Sequence, residues 1–220
     1  MVAISNIPIT LSSIRKGKLM ENIVESLLEA IREYSHERGL LWDYEKPSDS
    51  ARRLDGDSTG VVDFICKGHT EKHGWILTGI EAKNFGSYKV YDEVIDLKFK
   101  RKVKGLRYVI FVGSYNLAKI SKLELEVYCR SIGTEPSFIQ LSHDLEDDDP
   151  HKKIDNALHS IGRRLLTKLN HIYTNIFAEL TLWDIMYSTS VLKYESELRK
   201  VSESEHTGIT NTAKSQCLQI

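Results

Sequence analysis

Asp63, Glu81 and Lys83 are the residues in this chain whose types and spacing can do chemistry together. Asp63 interrupts the β-branched apolar run Val61-Val62-Asp63-Phe64-Ile65-Cys66, and Glu81-Ala82-Lys83 closes the run that begins at Trp75. Both runs read as strands. Side chains alternate across a strand, so Glu81 and Lys83 share one face while Ala82 points away. The stretch Lys67 to Gly74 holds Gly68, His69, His73 and Gly74 and reads as a hairpin turn, which brings Asp63 beside Glu81. Two carboxylates with an ammonium one step further along suit a hard divalent cation whose shell is completed by water. The lysine would orient or activate one of those waters. That is equipment for phosphodiester hydrolysis: a metal that polarises a phosphoryl oxygen and generates the nucleophile. The plainer reading makes all three surface charges on a half-exposed sheet. Acids at the ends of buried strands are costly unless paired or metal-bound, which favours the catalytic reading.

These three residues need a scaffold to position them. From Gly17 to Glu37, Met20, Ile23, Val24, Leu27, Leu28, Ile31 and Tyr34 recur at helical spacing and predict an amphipathic helix. Leu40 to Tyr44 reads as a short strand, and the polar stretch Glu45 to Gly60 as a loop. After the two central strands, Tyr91 to Lys104 reads as a helix stopped by Gly105. Tyr108 to Val112 is the clearest strand, Leu117 to Ile132 a helix ending at Gly133, and Ser137 to Leu141 a strand. Asp149 and Pro150 mark a helix start, as N-cap and first helical position. The stripe Ile154, Leu158, Ile161, Leu165, Leu169, Ile172, Ile176 continues that helix, with more helix through Leu192 or beyond. From about Ser202 the chain is polar and Ser/Thr-rich, and reads as a frayed tail. The order α, β, β, β, α, β, α, β, α predicts an α/β fold, a mixed central β-sheet flanked by helices. The expected division is an α/β core over 1–145, a helical C-terminal extension over 146–201 packed on it, and a flexible tail over 202–220.

The segment Gly60 to Ile65 followed by Ile80-Glu81-Ala82-Lys83 resembles the PD-(D/E)xK nuclease superfamily. Upstream, Lys16-Gly17-Lys18-Leu19-Met20-Glu21 resembles its archaeal Holliday-junction resolvase branch, including the version carried by spindle-shaped viruses of thermophilic archaea. The resemblance spans about residues 15 to 113, and Val62 stands where the motif usually has proline. It implies a restriction-endonuclease-like αβββαβ core, Mg2+ (with Mn2+ as a substitute), Asp63 and Glu81 as metal ligands, and Lys83 as the catalytic lysine. It also implies an accessory ligand from the first helix. Glu21 and Glu25 compete for that role. At about 100° per residue, Glu21 lies beside Leu28 at the edge of the buried face and Glu25 further toward solvent. Geometry and family pattern both favour Glu21, leaving Glu25 a solvated charge or a supporting partner.

Lys plus Arg is 30 and Asp plus Glu is 31, a formal charge of −1, which read naively argues against a polyanionic partner. The charges are clustered, however. Lys98, Lys100, Arg101, Lys102, Lys104 and Arg107 form a run without an acid. Arg15, Lys16 and Lys18 lead into the first helix, and Arg52 and Arg53 precede Asp63. Such clusters contact phosphates and position a backbone without reading sequence, although a charge run at a helix end is also an ordinary solvated face. No aromatic residue interleaves with them in the manner of a single-strand stacking surface. Asp144 to Asp149, with five acids in six residues, reads as a solvated loop. Cys66, His69 and His73 form a loose grouping with no fourth ligand for zinc.

Hydrophobic residues at 41% and charged residues at 28% describe an ordinary globular chain and exclude collagen-like, disordered and disulfide-scaffold classes. Three scattered cysteines, without CxxC, fit a reducing compartment with Cys66 and Cys129 as small buried apolar residues. The uncharged start lacks a basic end and an unbroken apolar core, so it does not read as a signal peptide, and the apolar stretch Ile176 to Leu192 falls short of a membrane span. The expectation is an intracellular, cytoplasmic protein, in the host cytoplasm if viral. No phosphate-cradling GxxxxGK[ST] loop is present. The expected function is a metal-dependent endonuclease acting on DNA, duplex or branched, as a homodimer. The competing classes are a non-catalytic DNA-binding protein on a nuclease fold and a viral accessory interaction protein.

Overall fold

The computed structural model describes residues 13–47, 62–83, 105–113, 119–141 and 150–197. It opens with helix α1 (Ser13–Glu37). Met20, Ile23, Val24, Leu27, Leu28, Ala30 and Ile31 are all buried, as their spacing requires. Ser26 and Ser35 are buried on the same side and return their hydroxyls to the carbonyls of Ile23 (2.9 Å) and Ile31 (2.6 Å). Gly39 ends the helix in the left-handed region, with φ 66°. The Leu40 N–H then reaches the Ser35 carbonyl at 2.8 Å, which satisfies an otherwise orphaned acceptor.

Five strands form one mixed sheet in the spatial order of the chain: β1 (Trp42–Glu45), β2 (Phe64–Thr70), β3 (Gly74–Lys83), β4 (Tyr108–Gly113) and β5 (Glu135–Gln140). β1, β2 and β3 pair antiparallel, while β3, β4 and β5 pair parallel. This is the α/β, mixed-sheet architecture expected. Strand bounds shift by a few residues, most of all at the hairpin. Lys67 to Thr70 belong to β2 and not to the turn, which is confined to residues 71–73. The reason lies at Gly68: a Cβ there would stand 2.6 Å from Tyr173 and 2.8 Å from Trp42. Its glycine serves close packing within a strand, and composition alone made it look like a turn residue.

Helix α2 (Lys119–Ser131) links β4 to β5, and α3 (Pro150–Ile172) follows β5. α1 and α3 share the larger core with Phe64, Cys66, Ile76, Ile80 and Ala82 from one face of the sheet. On the other face Val62, Val109 and Phe111 pack with Leu125 and Cys129 of α2. The stripe of α3, including Leu158, Ile161, Leu165 and Leu169, is therefore core within this chain. Among the described residues no helix is long and apolar enough to cross a membrane.

The helix expected to run on through Ile176 stops at Ile172. Thr174 and Asn175 adopt φ of 57° and 62°. Asn170 holds the turn from both sides, its amide donating to the Phe177 carbonyl (3.2 Å) and its oxygen accepting from the Phe177 N–H (3.0 Å). The turn aims Tyr173 and Phe177 back at Trp42, whose ring centroid lies 6.4 and 5.4 Å from theirs. A short helix α4 (Leu182–Met186) and a last helical segment over 189–197 complete the described chain.

Candidate active site

The register of the β2–β3 hairpin decides which side chains meet. Phe64 pairs with Ile80 as the last rung of the ladder. Asp63 precedes that rung, in a bend outside β2. Along β2, Phe64 and Cys66 enter the α1/α3 core while Ile65 packs against the α2 cluster. Along β3, Ile76, Ile80 and Ala82 enter the first core. Alternation thus puts Glu81 on the second face. Val62 and Phe64 belong to opposite clusters, so the chain turns at Asp63 and alternation does not carry across it.

Both carboxylates are buried, Asp63 at 3% exposure and Glu81 at 1%. Their surroundings are apolar, with Val62 next to Asp63 in sequence and Phe111 beside Glu81 in the parallel register of β4. Asp63 Oδ2 accepts the backbone N–H of Ala82 at 2.8 Å. β2 has already left the ladder there, so a side-chain oxygen takes the place of a strand carbonyl. That bond fixes the Asp63 carboxylate against the backbone between Glu81 and Lys83. Buried acids are costly to ionise unless donors or a cation offset their charge. Paired hard oxygen donors are also the donor set Mg2+ takes, one or two carboxylates with the rest of the shell from water and substrate.

Lys83 is the last residue of β3, paired with Gly113 and two positions beyond Glu81, and its side chain lies outside the described residues. Glu21 is half-buried in α1. Its helix neighbours Met20, Ile23 and Val24 join the larger core. Among the described residues no three His, Cys, Asp or Glu side chains gather into a group that could hold a metal. The bond to the Ala82 N–H holds Asp63 to the β3 backbone next to Glu81. Glu25 is ion-paired with Lys46. Glu29, in the next turn, accepts from the Tyr44 hydroxyl at 2.9 Å and pairs with Arg32.

Arg15, Lys16 and Lys18 fall in the first turns of α1 with side chains outside the described residues. Arg52, Arg53, Lys98, Lys100, Arg101, Lys102 and Lys104 lie outside the described residues altogether, as does the helix expected over Tyr91 to Lys104. Cys66 and His69 sit at opposite parities of β2 and face opposite sides of the sheet, so the Cys/His grouping does not form. Burial pushes the Cys129 thiol up to about 11 and that of Cys66 higher still, leaving both inert near neutral pH.

One surface on the second face escaped sequence reasoning. His69 pairs with Trp75 and Lys67 with Leu77 across β2 and β3. Treating Lys67 to Gly74 as a turn hides these neighbours. The usable signal was the parity of β3, which places Trp75 and Leu77 on the same face as Glu81. No protein-family model matches the chain, and no curated protein matches it significantly.

Proposed function

We propose that this chain is a metal-dependent endonuclease hydrolysing DNA phosphodiester bonds, in the manner of the PD-(D/E)xK superfamily its motifs resemble. The observation that carries the reading is the burial of two carboxylates, Glu81 on β3 and Asp63 held to the next backbone N–H of that strand, with Lys83 two residues beyond Glu81. Asp63 and Glu81 would hold Mg2+, which when bound supplies positive charge at a phosphoryl oxygen and favours ionisation of water. The Ala82 N–H keeps the Asp63 carboxylate in one orientation. Lys83 is assigned the family's lysine role, orienting the attacking water and balancing charge as the phosphorane develops. Glu21 is assigned a supporting role through water. Arg15, Lys16, Lys18, Arg52, Arg53 and the basic residues of 98–104 would contact phosphates and position the duplex. Resolution of a branched substrate needs two nicks, which a homodimer would supply.

The test offers the protein a four-way junction, a flap, a linear duplex and a supercoiled plasmid. Cutting with Mg2+, its loss on chelation, and a fall of at least about 100-fold in Asp63→Asn are expected, the scale for losing a group that stabilises transition-state charge. Binding of all four substrates without cutting, identical in wild type and Asp63→Asn, overturns the enzyme reading and leaves a DNA-binding protein on this fold.

A further inference from the structure

The row of β3 that carries Glu81 has an exposed aromatic at its other end. Trp75 is 56% exposed and Leu77 41%, although both lie on a central strand. The Lys67 ammonium sits 4.6 Å from the centre of the Trp75 ring, and the His69 ring meets it edge-on at 5.3 Å. Arg107, also exposed, donates its backbone N–H to the Leu77 carbonyl and stands at the third strand of the same row. Two acids are nearby. Asp43 pairs across β1 with Lys67 and turns one oxygen to the Tyr44 N–H at 2.7 Å, and Glu71 lies in the turn beside Lys72 and His73.

We propose that Trp75, backed by Lys67, is a stacking platform for an unpaired DNA strand. The aromatic offers a flat apolar surface to any base, and the lysine supports it by cation–π attraction while remaining within reach of a phosphate. The inference rests on the nuclease reading for the identity of the strand, and it narrows the substrate class to DNA with a single-stranded arm, a flap or frayed branch in preference to a blunt duplex.

Binding is measured by fluorescence anisotropy of a labelled 12-mer of dT and of a blunt duplex, with the whole chain and with chelator present. Trp75→Ala weakens dT binding about tenfold and Trp75→Phe far less, the scale of one stacked base, while duplex affinity is unchanged. Lys67→Ala lowers the single-strand salt slope by about 0.7. Equal dT binding by wild type and Trp75→Ala, or equal losses on dT and duplex, overturns the platform. Conversion of a dimer to monomer by Trp75→Ala in sedimentation overturns it in favour of a second copy on this face. Trp75-dependent binding without Mg2+-dependent cutting of any substrate sinks the nuclease reading and leaves the platform. Cutting by wild type with no effect of Trp75→Ala on dT does the reverse.

Discussion

The two faces of the sheet are made from the same five strands and are put to different uses. The face under α1 and α3 is closed by aliphatic side chains and an aromatic knot in which Trp42, Tyr173 and Phe177 meet edge to face. The Tyr173 hydroxyl donates within this core, 3.0 Å from Thr78 Oγ1 and 3.2 Å from the Cys66 carbonyl. The face under α2 has a smaller apolar cluster, the buried carboxylate of Glu81 at one end of β3 and the exposed Trp75 at the other. The first face has the larger buried core, whereas buried charge and exposed aromatic surface on the second both cost stability.

The strongest way to break this division is Phe177→Ala. The ring is fully buried against Trp42 and Tyr173, and its loss is expected to cost about 3–5 kcal/mol, read as a lower midpoint in urea with little change in slope. Asp63→Asn is its counterpart at the candidate site. It removes one of two buried charges while an amide oxygen can still accept the Ala82 N–H. Its stability should stay within about 1 kcal/mol of wild type or rise, even as cutting collapses. A urea midpoint falling as far as that of Phe177→Ala would make Asp63 a structural residue.

Gly68→Ala probes the seam with a smaller expected effect. The added methyl would meet Tyr173 and Trp42 at well under contact distance, and overpacking of this kind costs about 1–3 kcal/mol. Because Gly68 points at the first face, the variant should lose stability and retain whatever binding Lys67 and Trp75 provide. A loss of dT affinity larger than the loss of folded fraction would show that the faces are coupled.

Much of this was legible in the sequence. Alternation along β3 is a local property, so it placed Glu81 and Ala82 on opposite sides before any packing was known. The apolar stripe of α1 likewise fixed its buried side. What escaped depended on contacts remote in sequence. Gly68 looked like a turn residue because its partner Tyr173 lies more than a hundred positions away. Ile172 and Ile176 keep helical spacing, yet Asn170 turns the chain between them. A helical wheel gives the angle of Glu21 around its axis and not its height against the sheet, so it could not say whether Glu21 reaches Asp63 or Glu81.

The smallest effect expected lies at α4, which packs on the first face and is held by a cap. The Thr181 hydroxyl donates to Asp184 Oδ2 at 2.6 Å, the Thr181 N–H donates to the same oxygen at 2.8 Å, and the Asp184 N–H returns to Thr181 Oγ1 at 3.2 Å. The Thr181 hydroxyl, and then its N–H, hold the Asp184 carboxyl below the usual range. A carboxylate depressed in the folded state contributes stability that is present above its unfolded pKa and lost as pH falls through the folded one. Thr181→Ala should therefore cost about 1 kcal/mol at neutral pH, the ordinary worth of a cap. The gap to wild type should narrow in acid, as protonation takes the same interaction from the parent. A difference in urea midpoint that is constant from neutral pH into the acid range would assign the loss to the threonine's packing and not to the charged cap. Such a result would also separate this exposed carboxylate, which works for the fold, from the buried Asp63 and Glu81.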